Sequence, residues 1–256
     1  MKNLILSFCI ILLANIALAQ NTHFTTSGTI DYEKSINMFA LLKKYITDDN
    51  NSFMQQAYDA YKKNKPQFKK QKSTLTFANN KTLFTPLPDE NAGNDFFGGN
   101  PSTEQNNTTY TDLTSDISTT QKKVYEQIFL VKDTVRKIHW KITDETRDIA
   151  GYTCRRANAL IMDSIYVVAF YTNEIAVSGG PESFTGLPGM ILGVALPHEN
   201  VTWFATKVVD TAVPANTIKP PVKGKAVNNK QLRTTLEAAL KDWGDYAQAI
   251  FKALLM

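Results

Sequence analysis

The sequence predicts an α+β protein built on a large, mainly antiparallel β-sheet, with helices near the N-terminus and at the C-terminus. Three observations predict it. Short alternating or wholly apolar runs, parted by polar turns, recur from residue 122 to residue 209. Apolar residues at helical spacing are confined to residues 36–61 and 229–254. A stretch rich in glycine and proline, Ser178 to Gly193, feeds the chain into apolar Met190-Ile191-Leu192.

The chain of 256 residues begins Met1-Lys2-Asn3, continues through apolar Leu4 to Leu13 and reaches Ala17-Leu18-Ala19. A charged start, a short apolar centre and an A-x-A site read as a secretory signal peptide cut after Ala19. The expectation is a soluble protein, periplasmic or secreted, with no transmembrane segment. A β-rich domain is expected over 20–211, a Pro-rich linker over 212–228 and an amphipathic helix over 229–256.

Each element follows from its residues. Gly28 to Glu33 alternates Ile30 and Tyr32 against polar neighbours, as a strand does. Ile36, Phe39, Leu42 and Ile46 predict a helix over 36–46, and Phe53 to Tyr61 a second one ended by Pro66. Gln71–Ala78 and Lys81–Thr85 read as a hairpin closed by Asn79-Asn80. Residues 86–109 form a long polar loop with almost no apolar content; Phe96 and Phe97 in it could anchor a lid, or it is a surface loop with two aromatics.

Val135, Ile138, Trp140 and Ile142 alternate against polar residues and predict a strand, followed by a turn at Thr143–Thr146. Tyr152–Met162 and Ile165–Thr172 read as a hairpin through Asp163-Ser164; the second run is apolar on both faces and predicts a central strand. Met190–Leu196 and Val201–Val209 supply two more strands. Pro188-Gly189 suits a type II turn over Leu187 to Met190, with positive φ at the glycine. Asn229 is expected to cap a helix whose stripe is Leu232, Leu236, Leu240, Trp243, Ala247, Ile250 and Leu254.

Composition excludes little but excludes it clearly. A formal net charge of +4, scattered and not interleaved with aromatics, gives no support for nucleic-acid binding. His23, His139 and His198 lie far apart, and no CxxC or HExxH occurs, so no metal and no cofactor is expected. Ser183 lacks the G-x-S-x-G elbow of an exposed hydrolase serine. Asp144, Glu145 and Asp148 flank Arg147 at the expected turn, where acid–base work and surface ion pairing are both open.

Cys154 is the lone cysteine once Cys9 is removed with the signal peptide. Arg155 and Arg156 beside it would lower a thiol pKa; its place on a strand face with Tyr152 suits an inert, buried cysteine. No catalytic constellation emerges. Candidate binding residues are Tyr152 and Cys154, together with Phe184, Gly186, Leu187, Pro188, Gly189 and Met190 around the glycine-rich loop.

Two segments carry a family resemblance. Trp140-Lys-Ile-Thr-Asp-Glu-Thr-Arg-Asp-Ile-Ala-Gly-Tyr-Thr-Cys-Arg-Arg-Ala157 resembles one motif of the GLPGLI family of secreted bacterial envelope proteins. Val168-Ala-Phe-Tyr171, followed by Gly180-Pro181 and Phe184-Thr-Gly-Leu-Pro-Gly-Met-Ile-Leu192, resembles the other. Met190 replaces the usual Leu, Phe170 a Trp and Arg156 a Lys. The resemblance implies a curved sheet like that of envelope lipoprotein carriers, with no established activity. It also implies a periplasmic, non-enzymatic binding or accessory role near TonB-dependent outer-membrane receptors. Such a receptor, or a small apolar or peptide ligand, would be the partner. A Cys154-dependent thiol enzyme or redox protein, and a structural partner of a receptor, are the alternatives.

Overall fold

A computed structural model describes residues 24–47, 50–88, 101–104, 107–214 and 216–256. The expected signal peptide, Cys9, Phe96 and Phe97 lie outside the described residues, as does most of the expected long polar loop. The fold class is the one expected: an open, mainly antiparallel sheet with helices near the start and at the end.

The strands are β1 (Ser27–Asn37), β2 (Phe68–Ala78), β3 (Lys81–Pro86), β4 (Thr108–Asp112), β5 (Ile117–Val124) and β6 (Gln127–Thr134). They continue with β7 (Lys141–Ile149), β8 (Tyr152–Ile161), β9 (Ile165–Thr172), β10 (Met190–Leu196), β11 (Val201–Asp210) and β12 (Lys225–Val227). Their order across the sheet is β12-β6-β5-β4-β3-β2-β1-β11-β10-β9-β8-β7. Every pairing is antiparallel except the short β12–β6 contact. Thus β1 sits mid-sheet, paired along its length to β2 and to β11, the last long strand.

The alternation in β1 explains the layering. Ile30, Tyr32, Lys34 and Ile36 are buried on one face, while Asp31 faces solvent on the other. Ile30, Leu75, Phe77, Val167, Leu192 and Val194 are fully buried in the main core. Strand β9 lies between β8 and β10, as its apolar run requires. Phe170 and Phe204 partly cover the opposite face, and the Arg147 guanidinium stacks 4.6 Å from the Phe204 ring centre.

Helices α1 (Met38–Lys43) and α2 (Asn51–Asn64) cross over between β1 and β2. The expected helix over 36–46 is shorter, because Ile36 stays in β1 and Asn37 caps α1 by accepting from the Ala40 N–H. Asn79 and Asn80 both adopt positive φ, 50° and 58°, so the β2–β3 turn is of the primed hairpin kind.

Three further expectations are corrected. Residues 135–140 are irregular, and β7 begins only at Lys141; Trp140 is drawn instead to the glycine-rich loop, where its Nε1 donates to Thr185 O at 2.8 Å. Thr143–Thr146 is part of β7, an edge strand whose register shifts between Ile142 and Thr146, rather than a turn. The C-terminal helix is two helices, α4 (Asn229–Leu240) and α5 (Asp245–Leu255), broken by Gly244 at φ 57°. Trp243 at that break is half-exposed and leaves the apolar stripe. The cap of α4 is Asn228, which forms a reciprocal capping box with Gln231. Between β3 and β4 lies a single helical turn, α3 (Pro101–Glu104).

Leu232, Leu236, Leu240, Ile250 and Leu254 bury against Val124, Phe129 and Val131 of β5 and β6. Both C-terminal helices therefore cover the inner face at the β4–β6 end of the sheet. Among the described residues no helix is long and apolar enough to cross a membrane.

Candidate binding site beneath the C-terminal helix

The inner face of the sheet is not uniformly apolar. Lys34 on β1 and Lys122 on β5 are both buried there. Four strand spacings separate β1 from β5, about 19 Å in a flat sheet at ~4.8 Å each. Both ammonium groups nonetheless act on the carboxylate of Glu182. The glycine-rich loop places Glu182 within electrostatic reach of both.

Local geometry makes this possible. Glu182 takes a positive φ of 53°, which turns its side chain inward between Pro181 and buried Phe184. Its Oε2 accepts from Asn107 Nδ2 at 3.1 Å. Lys34 lies with Nζ 5.3 Å from the Trp203 ring centre, and Phe184 packs on the same indole at 6.1 Å. Gln71, opposite Lys34 across β1–β2, donates Nε2 to Thr103 O at 3.1 Å and ties α3 over the site. Lys34, Asn107, Glu182, Phe184 and Trp203 line a cavity of about 30 Å³ together with Pro101, Ala253 and Met256.

The electrostatics follow from burial. Desolvation pushes the Glu182 carboxyl above its ordinary value, against the pull of Lys34, Asn107 and Lys122. Desolvation also lowers the Lys34 ammonium, which Glu182 partly offsets. Lys122 is lowered to about 8, first by burial and then by the Arg136 guanidinium, with Glu182 again opposing. A carboxylate between two lysines beside an aromatic wall can orient a polar ligand through hydrogen bonds and stacking.

The residues singled out in the sequence fall into two groups. Cys154 is fully buried in the main core, and burial pushes its thiol up to about 12; its Sγ donates to Tyr152 O at 3.5 Å. Arg155 and Arg156 point away from it to Asp144 and Glu145, at 3.5 and 2.6 Å. Those acids are surface ion-pair partners and do not converge on Asp148, which accepts from Thr153. Among the described residues no group of three metal-ligating side chains occurs.

Phe184 does line the cavity. Leu187 and Met190 are core residues instead, while Gly186 and Pro188 are exposed and Tyr152 is half-buried. The Leu187–Met190 corner closes differently from a type II turn, with Gly189 N–H donating to Leu187 O at 2.8 Å around Pro188. Gly189 has φ 141°, and a Cβ there would stand 2.1 Å from Thr172 O. Pattern reading missed Lys34, Lys122, Glu182, Asn107 and Trp203. The one available signal was a lysine on the buried face of an alternating strand, Lys34 after Ile30 and Tyr32.

Comparison with known proteins agrees with this architecture. PNGF-II, solved in two crystal forms, superposes with a TM-score of 0.50 in each at 16% identity. The match covers 82% of this chain in one form and 89% in the other, but 33% of PNGF-II in both. The chain thus spans about a third of the length of the solved protein it matches, and at that identity the likeness shows the fold alone. No curated protein matches the chain. The family model described as the N-terminal domain of N-glycanase peptide matches residues 62–230, well over half of the chain. The chain belongs to the family of N-glycanase N-terminal domains.

Proposed function

We propose that this chain is an exported, periplasmic, non-catalytic binding or accessory domain whose ligand face is the curved inner sheet beneath α5. The observation that carries the reading is the gathering of Lys34, Asn107, Glu182 and Trp203 under α3 and α5. Four separate segments converge there on buried polar groups, where packing alone would favour apolar ones. The N-glycanase name of the family favours an asparagine-linked glycan or its glycopeptide as the ligand class.

The test is to incubate the purified chain with an N-glycopeptide and follow both partners by mass spectrometry. The expected result is a complex with intact glycopeptide and no released glycan. Glycan release by a preparation of this chain would overturn the non-catalytic reading.

The likeness of Phe184–Leu192 to the GLPGLI motif favours a second reading, an accessory protein of an outer-membrane TonB-dependent receptor. Crosslinking in cells tests it: recovery of a receptor supports it, and recovery of soluble proteins only counts against it.

A further inference from the structure

A second cavity, of about 50 Å³, lies next to the first between β4–β6 and the end of α5. Its chemistry is one-sided. Lys122 Nζ and Arg136 Nη2 enter from the sheet side and donate to Leu254 O and Leu255 O at 2.6 and 2.7 Å. Ser183 Oγ, at the tip of the glycine-rich loop, donates to Met256 O at 3.3 Å. The hydroxyl-bearing Thr109, Ser118 and Thr120 complete the wall. Arg136 Nη1 is buried and has no hydrogen-bond partner among the described residues.

Counting charge around the cavity leaves a small positive excess. Lys122 and Arg136 bring two positive charges, set against about half a negative one from the helix C-terminus and a full one from Asp133. Asp133 stands at the rim, where its oxygens already accept from the Thr134 and Asn229 backbone N–H groups. Glu182 is hydrogen-bonded to Asn107 and shared with Lys34. A guanidinium fork with a spare donor, an ammonium and a ring of hydroxyls form the donor set that oxyanions require. About 10–15 Å³ holds a water by this measure, so the cavity has room for a small oxyanion.

We propose that this cavity is a binding site for a small oxyanion, a carboxylate or phosphate group. Arg136 Nη1, and the Lys122 Nζ protons that Leu254 O does not take, donate to it beside the end of α5. The site is independent of the glycopeptide reading, because it is defined by charge and donor geometry at a neighbouring cavity.

The test uses the whole purified chain with sodium acetate, sodium phosphate and, as control, sodium chloride at matched ionic strength. Thermal unfolding is followed as a function of anion concentration, and line broadening of the ¹³C-carboxylate or ³¹P resonance reports binding directly. The expected result is saturable stabilisation and broadening by acetate, phosphate or both, beyond chloride, with Arg136→Gln at least tenfold weaker. Acetate without phosphate identifies a carboxylate site, and the reverse a phosphate site. Stabilisation equal to that by chloride, or an affinity unchanged by Arg136→Gln, overturns the proposal. Should Arg136→Gln not fold, Arg136→Lys, which keeps the charge but lacks the second donor of the fork, takes its place with an expected loss of about threefold. Absence of broadening for both anions with the unaltered chain overturns the proposal without any variant. Loss of glycopeptide binding leaves this result untouched.

Discussion

Lys122 on β5 donates its ammonium to the carbonyl oxygen of Leu254, 132 positions later, at 2.6 Å in a buried setting. With Arg136 on Leu255 O, it satisfies backbone oxygens that the end of a helix leaves without partners. The end of α5 is therefore fixed to the inner sheet by both apolar packing and charge-assisted hydrogen bonds.

Leu254 is fully buried against β5 and β6, so Leu254→Ala should cost about 2–5 kcal/mol of stability. Urea unfolding of the two proteins measures it. A cost below about 1 kcal/mol would mean that α5 is not held as described.

The lowered Lys122 makes stability rise with pH in a defined window. An unfolded lysine keeps its proton until about 10.5, whereas folded Lys122 releases it near 8. Above pH 8 the unfolded chain therefore binds more protons, and stability increases with pH. Lys34 is lowered too and acts in the same sense. Cys154 opposes them from about pH 9, where an unfolded thiol ionises and the buried one, at about 12, does not. Between pH 8 and 9 the urea midpoint should climb, and Lys122→Met should flatten most of that climb. Equal slopes in the two proteins would contradict this assignment.

Gly189→Ala should destabilise the fold by at least about 2 kcal/mol, since it combines positive φ with a Cβ set against the β9 backbone. Gly186, also at positive φ, is exposed, and a Cβ there meets the Trp140 indole at ordinary contact distance, 3.6 Å from Nε1 and 3.8 Å from Cδ1. Gly186→Ala should cost only about 1 kcal/mol. Thermal unfolding of the pair separates the two roles; equal losses would contradict them.

Native Cys154 should resist alkylation. Its burial and raised pKa leave almost no accessible thiolate at neutral pH. Iodoacetamide labelling should track global unfolding in urea, and rapid labelling without denaturant would revive the thiol-enzyme alternative.

Much of the fold was legible because local signals agreed. Asn79-Asn80 between two strand-like runs marked a hairpin, and the doubly apolar Ile165–Tyr171 marked an interior strand. The failures have physical causes. Trp140 fits an alternating pattern, yet its indole N–H finds a better partner in Thr185 O than in a strand. Gly244 breaks a helical stripe that runs through it by taking positive φ. The site was illegible for a different reason. Lys34, Asn107, Lys122, Glu182 and Trp203 come from five distant segments, joined only by the fold and by a positive φ at Glu182 that no short motif announces.

The central claim is that the hollow around Lys34, Glu182 and Trp203 binds ligand. Calorimetric titration of the purified chain with an N-glycopeptide, beside Lys34→Gln at equal concentration, tests it most directly. The account predicts saturable binding by the unaltered chain and at least tenfold weaker binding by a folded Lys34→Gln protein. Absence of binding at millimolar glycopeptide, or equal affinity in the two proteins, would contradict it.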